Sequence, residues 1–502
     1  MKKFLGISIA LALIFGVTPS YAAVPKAGAA CTKIGQKQVS SAREYTCVSK
    51  GNKKVWNNGV ASARYSPKGY SGGRCEKDPL IKTGQAAQIQ NFLSEYGWCI
   101  QAMRIAKSSL PSTTPTSLLS DKTLDSSIEQ CKIQNDPNSR SWKGFPDSQD
   151  QENFRTERHP SPGTVMQIIP IYSSDAPVGK GSPYQDYQFY FDFIKEYYKY
   201  IDESGVGIDL RVPDKYFEFP ETIAKFGITH GVDGELATGF AQKVINAVDK
   251  HFDFSQVNYA LIVVPAGTPS KIMGQQGFPR IKSEEGYMTN VSSAQPATFK
   301  NSSANSRTPY FASPILWLHE FYHPGMNLGD NLASRSSKYD EGRGMGDWGL
   351  MSNHNGDLLA WQKWLLGFIS DQQIHCISPK QEATLSWIAP SSMKTKNEKL
   401  LVIPLSKSKA IIVESIRAVG FNYRLRSPSL GALAYIVDAA DTRHEYGYTV
   451  LYPDKRRPKD GSILLMEDAP LKVGESVTVE GVKITNVEWG EFGDVIKVEP
   501  VK

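Results

Sequence analysis

The sequence predicts an α+β protein, in which a domain of alternating helices and strands is followed by a domain built mainly of strands. Three observations support this fold class. Strand and helix patterns alternate from about residue 160 to residue 378, which is typical of helices packed on a sheet. After residue 378 the helical pattern fades and short apolar stretches of strand length remain. A small basic segment before residue 60 has the pattern of a β-hairpin.

Composition is that of an ordinary globular protein. The 502 residues are 40% hydrophobic and 22% charged, and the formal net charge is +6. The length is enough for two to four domains with sizeable cores. No cluster of lysine and arginine is dense enough to indicate nucleic-acid binding.

The N-terminus has the pattern of a signal peptide. Lys2 and Lys3 precede an apolar run over residues 4–17, and residues 20–22 form a small-x-small cleavage site. The apolar run is short for a bilayer span, which disfavours a retained membrane anchor. We therefore expect a secreted, extracellular protein whose mature chain begins at Ala23, with no stable membrane insertion.

The predicted domain boundaries follow from these patterns and are, in chain order, 1–22 (signal peptide), 23–60 (small disulfide-bearing module), 61–155 (helical and linker region), 156–378 (α/β domain) and 379–502 (β-rich domain). The region 61–155 is a candidate propeptide. It contains a helical pattern over residues 83–107 and a Ser/Thr/Pro-rich linker or surface loop over residues 108–120.

Cysteine use fits an exported chain. Six cysteines favour up to three disulfide bonds, and Cys31 with Cys47 is the simplest pair because both lie in one short segment. This segment is predicted to fold as strands 45–48 and 53–56, joined by a turn at Gly51 and Asn52. It could associate with the cell wall by holding a wall polymer, or it could act as a spacer.

Helix and strand patterns over residues 160–264 predict the core of the α/β domain. Strands are expected at 165–169, 206–212 and 259–264, and helices at 187–201 and over the four-residue repeat from Leu236 to Val248. The polar stretch 267–312 lacks periodicity, so it is expected to form loops along a cleft.

The β-rich domain is predicted from five strand patterns after residue 378. The expected strands are 400–405, 410–415, 432–437, 476–479 and 495–498. This number of strands without helices favours a C-terminal β-sandwich.

The most informative motif is a complete HExxH, formed by His319, Glu320 and His323. Side chains four apart on a helix lie one turn above each other, so both imidazoles can bind one zinc ion. Ser313 and Pro314 fit the N-cap and first position of that helix. The glutamate beside the first histidine can then take a proton from a zinc-bound water. The alternative is a chance match.

Two further segments follow this motif, GDWGLMS at residues 346–352 and WQKWLLG at residues 361–367. Together the three segments resemble the secreted zinc metalloproteases of the immune inhibitor A family, which belongs to the metzincins. In that family G-D-W-D-L-M and W-x-K-x-x-L-G follow the HExxH helix, so Gly349 replaces an aspartate. The resemblance covers roughly residues 160–500 and implies a metzincin-like catalytic domain over 156–378 with a β-rich region behind it.

The resemblance also implies roles for individual residues. His319 and His323 would be zinc ligands, and Glu320 would be the general base. Met351 would be the methionine of the Met-turn beneath the metal, although an ordinary core methionine would look the same in sequence.

The third ligand departs from the family pattern HExxHxxGxxH/D. That pattern places its last ligand at Gly329, whereas the nearest carboxylate is Asp330. Pro324 directly follows His323, and proline disfavours helix at the preceding residue, so the helix is expected to end near His323. Asp330 is the predicted third ligand, with a surface turn residue as its alternative and His354 as the reserve ligand.

Acidic residues are frequent around this site, which is compatible with an additional Ca2+ site or with a solvated acidic loop. The residues concerned are Asp330, Asp340, Glu341, Asp347 and Asp357.

The predicted function is that of a secreted zinc-dependent endopeptidase, a hydrolase that cleaves protein or peptide substrates by a glutamate-activated water. The alternative is a catalytically impaired metalloprotease-like binding protein at the cell surface. A metal-dependent hydrolase acting on glycans is a third hypothesis.

Overall fold

The computed structural model describes residues 27–40, 43–57, 60–61, 113–120, 126–139, 141–146, 162–228, 235–278, 280–288, 290–294, 296, 314–326, 328–331, 344–346, 348–352, 357–378, 382–418, 420–425, 427–443, 446–456 and 468–501. The chain forms two compact units, Met1–Val60 and Ala61–Lys502. Many strands and few helices make up the described part, as expected for a mixed α+β protein.

The smaller unit contains an antiparallel sheet with the order β1-β2-β3. Its strands are β1 (Lys37–Ser40), β2 (Arg43–Lys50) and β3 (Lys53–Trp56), and β4 (Val60–Ala61) follows. The predicted hairpin is confirmed, with its turn at Gly51 and Asn52 between β2 and β3. The predicted disulfide between Cys31 and Cys47 is also present, and buried Trp56 lies opposite Cys47 in the sheet.

The described part of the larger unit contains a short helix and a mixed α/β region. Its helices are α1 (Ile128–Cys131), α2 (Pro183–Ile201), α3 (Glu235–Val248), α4 (Pro314–Met326) and α5 (Ala360–Leu365). The strands of this region are β5 (Thr164–Tyr172), β6 (Ile208–Arg211), β7 (Phe217–Glu218), β8 (Tyr259–Val263), β9 (Gln276–Phe278), β10 (Ile281–Ser283), β11 (Gly286–Met288) and β12 (Val291–Ser293).

The central sheet has the order β6-β5-β8-β12-β9, with β7 also paired to β5. Strand β5 is parallel to β6 and β8, and β12 is parallel to β8. Successive side chains of a strand point to opposite faces, so Ile168 and Leu261 pack with α2 and α4, while Ile169 and Ile262 pack with α3. The sheet therefore lies between two helical layers.

Helix α2 begins at Pro183, four residues before its predicted start. Ser182 caps it, because its hydroxyl accepts from the backbone N–H of Gln185 and the Gln185 side chain accepts from the backbone N–H of Ser182. Aromatic side chains dominate its buried face and pack against α4, where the Tyr190 and Trp317 ring centroids are 4.5 Å apart. This aromatic layer fixes α4 against the sheet.

The prediction of loops over residues 267–312 is wrong for residues 276–293, while residues 267–275 form no helix or strand, as predicted. Residues 276–293 form β9 to β12, and β10 and β11 pair as a hairpin. Each strand has three residues, too few to show an alternating pattern in the sequence. Burial of Phe278, Ile281 and Val291 against α3 stabilises them. Residues 297–313 lie outside the described part.

The C-terminal region contains two sheets, with the orders β13-β15-β16-β17-β18 and β14-β21-β20-β19. The strands are β13 (Ile374–Cys376), β14 (Thr384–Ile388), β15 (Leu400–Pro404), β16 (Lys409–Ile416), β17 (Gly431–Asp438), β18 (Tyr448–Val450), β19 (Ser476–Val479), β20 (Val482–Gly490) and β21 (Gly493–Pro500). All five predicted strands are present. Leu401 and Ile411 of one sheet share a core with Ile484 and Ile496 of the other.

The segment 126–146 is built into the larger unit. A disulfide joins Cys131 to Cys376, and Ile133 lies in a core with strands of the C-terminal region. The backbone carbonyl of Lys143 accepts a 2.7 Å hydrogen bond from Nε1 of Trp361. These contacts would be lost if the whole candidate propeptide, 61–155, were removed, so this part of it belongs to the folded structure.

The predicted linker 108–120 is described from residue 113 and lies on the C-terminal sheet. The Glu488 carboxylate accepts from the backbone N–H and hydroxyl groups of Thr116 and Ser117, at 2.6–3.0 Å. The backbone N–H of Ser120 donates to the carbonyl of Leu385 at 3.1 Å. Residues 113–120 therefore form an irregular surface segment, in agreement with the surface-loop alternative of the prediction, while the predicted helical segment 83–107 lies outside the described residues. Within the described part, no helix has both the length and the apolar character needed to span a bilayer.

Candidate metal centre

Helix α4 positions the HExxH motif. It begins at Pro314, which fits a first helical position, and buries Trp317, Leu318, Phe321 and Tyr322 in the core shared with α2 and the central sheet. Ser313, the predicted N-cap, lies outside the described residues. With its apolar sides packed, the helix is fixed in rotation, so the motif's side chains have defined directions.

The helix continues through Pro324 to Met326, so its predicted end near His323 is wrong. Proline cannot donate the backbone hydrogen bond to the residue four positions earlier, but its fixed φ is itself helical. The chain then turns back, and the backbone N–H of Leu328 donates to the carbonyl of Tyr322 at 3.1 Å. This turn returns the chain to the histidine side of α4.

Three potential ligand atoms meet at one point. Nε2 of His319 lies 3.0 Å from Nε2 of His323 and 3.2 Å from Oδ1 of Asp330, and the His323–Asp330 distance is 3.5 Å. His319 is buried, while His323 and Asp330 are partly buried. These three residues form a group that could hold a metal ion.

The spacing fits a tetrahedral zinc shell. Zinc binds imidazole nitrogen and carboxylate oxygen at about 2.0–2.1 Å, so two tetrahedral ligand atoms are about 3.3–3.4 Å apart. The three observed distances, 3.0, 3.2 and 3.5 Å, lie around this value.

The hydrogen bonds of the two imidazoles determine their tautomers. Nδ1 of His319 lies 3.0 Å from the carbonyl oxygen of Leu350, and Nδ1 of His323 lies 2.8 Å from that of Leu328. A carbonyl oxygen only accepts, so both Nδ1 atoms must carry hydrogen. In neutral rings, both Nε2 atoms then present lone pairs. The centre therefore brings two nitrogen lone pairs and a carboxylate oxygen together, which a cation or a shared proton must stabilise.

The electrostatics agree with an ionised carboxylate. Burial raises the pKa of Asp330, but its contacts with His319 and His323 outweigh this and hold the pKa well below the usual range. Burial lowers the pKa of His323, but the neighbouring Asp330 carboxylate outweighs this and raises it. Asp330 is thus charged at neutral pH, as a metal ligand must be.

Asp330 is held in place by its neighbour Asn331. The backbone N–H of Asn331 donates to the carbonyl of Met351 at 2.6 Å, and its carbonyl accepts from the N–H of Met345 at 2.8 Å. The loop that carries Asp330 is therefore attached to the segment 345–351. This attachment, which the motif does not encode, brings the carboxylate to the histidines from a position one residue beyond the family pattern.

Met351, the predicted Met-turn residue, is fully buried in the core that contains α4. It follows Leu350, whose carbonyl contacts His319, so its turn lies beside the histidines. Gly349 has φ +89°, and an added Cβ would lie 3.3 Å from Cγ of Leu359. Glycine adopts this φ without strain and has no Cβ to approach Leu359, so it satisfies both constraints.

Glu320 lies on α4 between the two histidines in sequence and is half-buried. Its charge contributes, after that of Asp330, to the raised pKa of His323. Glu320 therefore interacts electrostatically with the histidine site.

The other predicted site residues do not form a second cluster in the described part of the chain. Asp357 is buried and ion-paired with Lys363, so it is not an open calcium ligand. His354, Asp340, Glu341 and Asp347 lie outside the described residues.

Sequence reasoning missed the groups that orient the histidines, namely the carbonyls of Leu350 and Leu328. Backbone groups carry no side-chain signal, so no motif could have identified them. Comparison with models of known protein families and with curated proteins gave no match for this chain. The centre is accordingly interpreted from its geometry.

Proposed function

We propose that this protein is a zinc-dependent endopeptidase, in which His319, His323 and Asp330 hold the metal and Glu320 is the general base. The proposal includes a metzincin-like catalytic domain and export of the protein, as expected from the sequence. The observation that carries it is the convergence of three lone-pair donors within 3.0–3.5 Å of one another.

The donor set suits zinc chemically. Two imidazoles and one carboxylate are a common catalytic zinc shell, which leaves a fourth position for water or substrate. A bound zinc ion would act as a Lewis acid, polarising a carbonyl and lowering the pKa of water towards about 7. Both Nδ1–H groups donate to backbone carbonyls, an arrangement that orients metal-binding imidazoles and increases their basicity.

The chain itself supplies the proton transfer. Glu320 is half-buried, so its carboxylate remains accessible while α4 fixes its backbone. It would accept a proton from the attacking water and then donate it to the leaving amine, as a general base and acid in turn. Phe321 and Tyr322, the next two residues, are buried in the core that fixes α4.

The test combines metal content with activity. Purified protein loaded with zinc should retain about one equivalent after gel filtration and should hydrolyse casein, and chelation should abolish hydrolysis. Glu320→Gln should keep the zinc but lose about 100- to 10,000-fold in activity, the usual contribution of a general base. Glu284→Gln, which changes an exposed glutamate, is the matched control and should be unaffected.

Full activity of Glu320→Gln, or hydrolysis that persists after complete zinc removal, would contradict the mechanism. Zinc retained without hydrolysis of casein would favour the binding-protein alternative. A polysaccharide substrate measured in parallel distinguishes the glycan-hydrolase hypothesis.

A further inference from the structure

We propose that Asp357 is a positioning residue for the metal ligand His319, and that it acts through the peptide groups of Leu350. The C-terminal strands are then part of the metal centre, because they hold Asp357 in place. This inference rests on the proposed function, since it concerns the orientation of a ligand at the same site.

The first link between His319 and Asp357 is the backbone of Leu350. Its carbonyl accepts from Nδ1–H of His319 at 3.0 Å, and its N–H donates to the backbone carbonyl of Asp357 at 3.0 Å. A displacement of Asp357 would therefore move Leu350, and with it the acceptor that sets the rotation of the His319 ring. Such outer contacts fix both the tautomer and the direction of a metal-binding imidazole.

Asp357 is itself held in place by two contacts. Its carboxylate pairs with the Lys363 ammonium group, and both side chains are only 3% exposed. Its backbone N–H donates to Oδ1 of Asn422 at 3.2 Å. Asp357 is thus held by one residue of α5 and by one residue of the C-terminal region.

Lys363 connects this pair to the C-terminal strands. Its ammonium group donates to the carbonyl of Ser391 at 3.2 Å, and the N–H of Ser391 donates to the carbonyl of Ser415 in β16 at 3.0 Å. The path from His319 to a strand of the C-terminal sheet is therefore continuous.

General stability does not account for a charged pair at this position. Removing two charges from water costs free energy that their attraction often fails to recover, so apolar side chains of similar volume would stabilise the fold equally well. A buried pair does, however, specify one arrangement of the groups around it. That property is useful where the direction of a ligand decides metal affinity.

The experiment is cobalt binding to the metal-free full-length protein, measured by titration and by visible absorption of the bound ion. Asp357→Asn should bind Co2+ about 10- to 100-fold more weakly than wild type, the usual effect of losing an outer contact. Its absorption bands should shift, because the His319 ring is no longer held in one orientation.

Glu475→Gln is the matched control. Glu475 belongs to another ion pair of the C-terminal region, in which its Oε2 lies 2.7 Å from Nη2 of Arg456. The same change from carboxylate to amide is made there, but neither Glu475 nor Arg456 belongs to the path to His319. The melting temperature of this variant should fall, while its cobalt affinity and spectrum should match wild type.

Asn422→Ala is a milder variant that decides the question if Asp357→Asn does not fold. It removes the acceptor of the Asp357 N–H and should weaken cobalt binding several-fold. Wild-type affinity and spectrum in folded Asp357→Asn, or in Asn422→Ala, would overturn the positioning role alone. A wild-type protein that binds neither cobalt nor zinc would instead overturn the proposed function.

Discussion

Oδ1 of Asp330 lies 3.2 Å from Nε2 of His319, on the side of the imidazole opposite its hydrogen bond to Leu350. The ring therefore lies between a backbone carbonyl, which contacts Nδ1, and a carboxylate, which lies near Nε2. This arrangement is expected where Nε2 binds a metal ion and the carbonyl orients the ring. Asp330 reaches this position because the chain turns back after α4 and is then fixed through Asn331.

Asp330→Asn should weaken zinc binding by more than about 100-fold, because an amide lacks the negative charge of the carboxylate. Zinc at about 100 times its Kd stabilises a folded protein by about 2.7 kcal/mol. Chelation should therefore lower the melting temperature of the wild type and leave that of Asp330→Asn nearly unchanged. Thermal unfolding with and without zinc measures both effects.

The control for this prediction is Asp209→Asn, which removes an exposed carboxylate paired with Arg211. This variant should respond to chelation as the wild type does. An equal response of Asp330→Asn to chelation would exclude Asp330 as a ligand.

Lys143 predicts a rise of stability with pH. Burial lowers the pKa of its ammonium group from 10.5 to about 8. Between these values the unfolded chain holds a proton that the folded protein does not, so stability increases as pH rises from about 8 to 10.5. Each pKa unit corresponds to about 1.4 kcal/mol, which gives roughly 3 kcal/mol for this residue.

Urea unfolding at pH 8 and at pH 10.5 measures this effect in the wild type and in Lys143→Met. The stability of the variant should increase less with pH, because the contribution of Lys143 is lost. Some increase should remain, because buried Lys399 and partly exposed Lys472, whose pKa values are also lowered to about 8, still contribute. Lys271→Met, at an exposed position, should behave like wild type. An unchanged pH dependence in Lys143→Met would contradict the prediction.

Glu488 predicts that acid releases residues 113–120 from the C-terminal sheet. Hydrogen bonds from Ser117 and Thr116 lower the pKa of its carboxylate to about 2, from an ordinary value of 4.5. The stabilisation is complete above pH 4.5 and is lost as pH falls towards 2, because only the ionised carboxylate accepts all four bonds.

Hydrogen exchange at the Thr116 and Ser117 amides reports this release. Glu488→Gln keeps one acceptor oxygen, so at neutral pH one of the two amides should exchange faster than in wild type. Glu499→Gln changes another carboxylate of the same sheet, paired with Lys497, and should leave both amides protected. Slow exchange at both amides in Glu488→Gln would show that the Glu488 carboxylate does not hold residues 113–120 on the sheet.

Much of the fold around the candidate metal centre could be predicted from the sequence. The apolar patterns that identify β5, β8, α2 and α3 are long enough to show a period, and the HExxH spacing places both histidines on one side of a helix. The strands of residues 276–293 have three residues each and gave no such signal. They are stabilised by tertiary burial against α3, which a local pattern does not contain.

The groups of the candidate site likewise include some that the sequence could identify and some that it could not. The side chains of His319, His323 and Asp330 could be identified as candidate ligands because zinc binds particular residue types. The contribution of Leu350 could not, because it uses its backbone alone. Pro324 was misleading because steric preference at one residue was outweighed by packing of the whole helix.

The disulfide between Cys131 and Cys376, which are 245 positions apart in sequence, encloses the central sheet and all three candidate ligands within one covalent loop. A single nick in any exposed turn of this loop would leave both fragments fastened together. The severed molecule would keep its full mass on a non-reducing gel and would separate only after a thiol is added. A cut in this loop would thus leave the central sheet and all three candidate ligands in one covalently connected molecule.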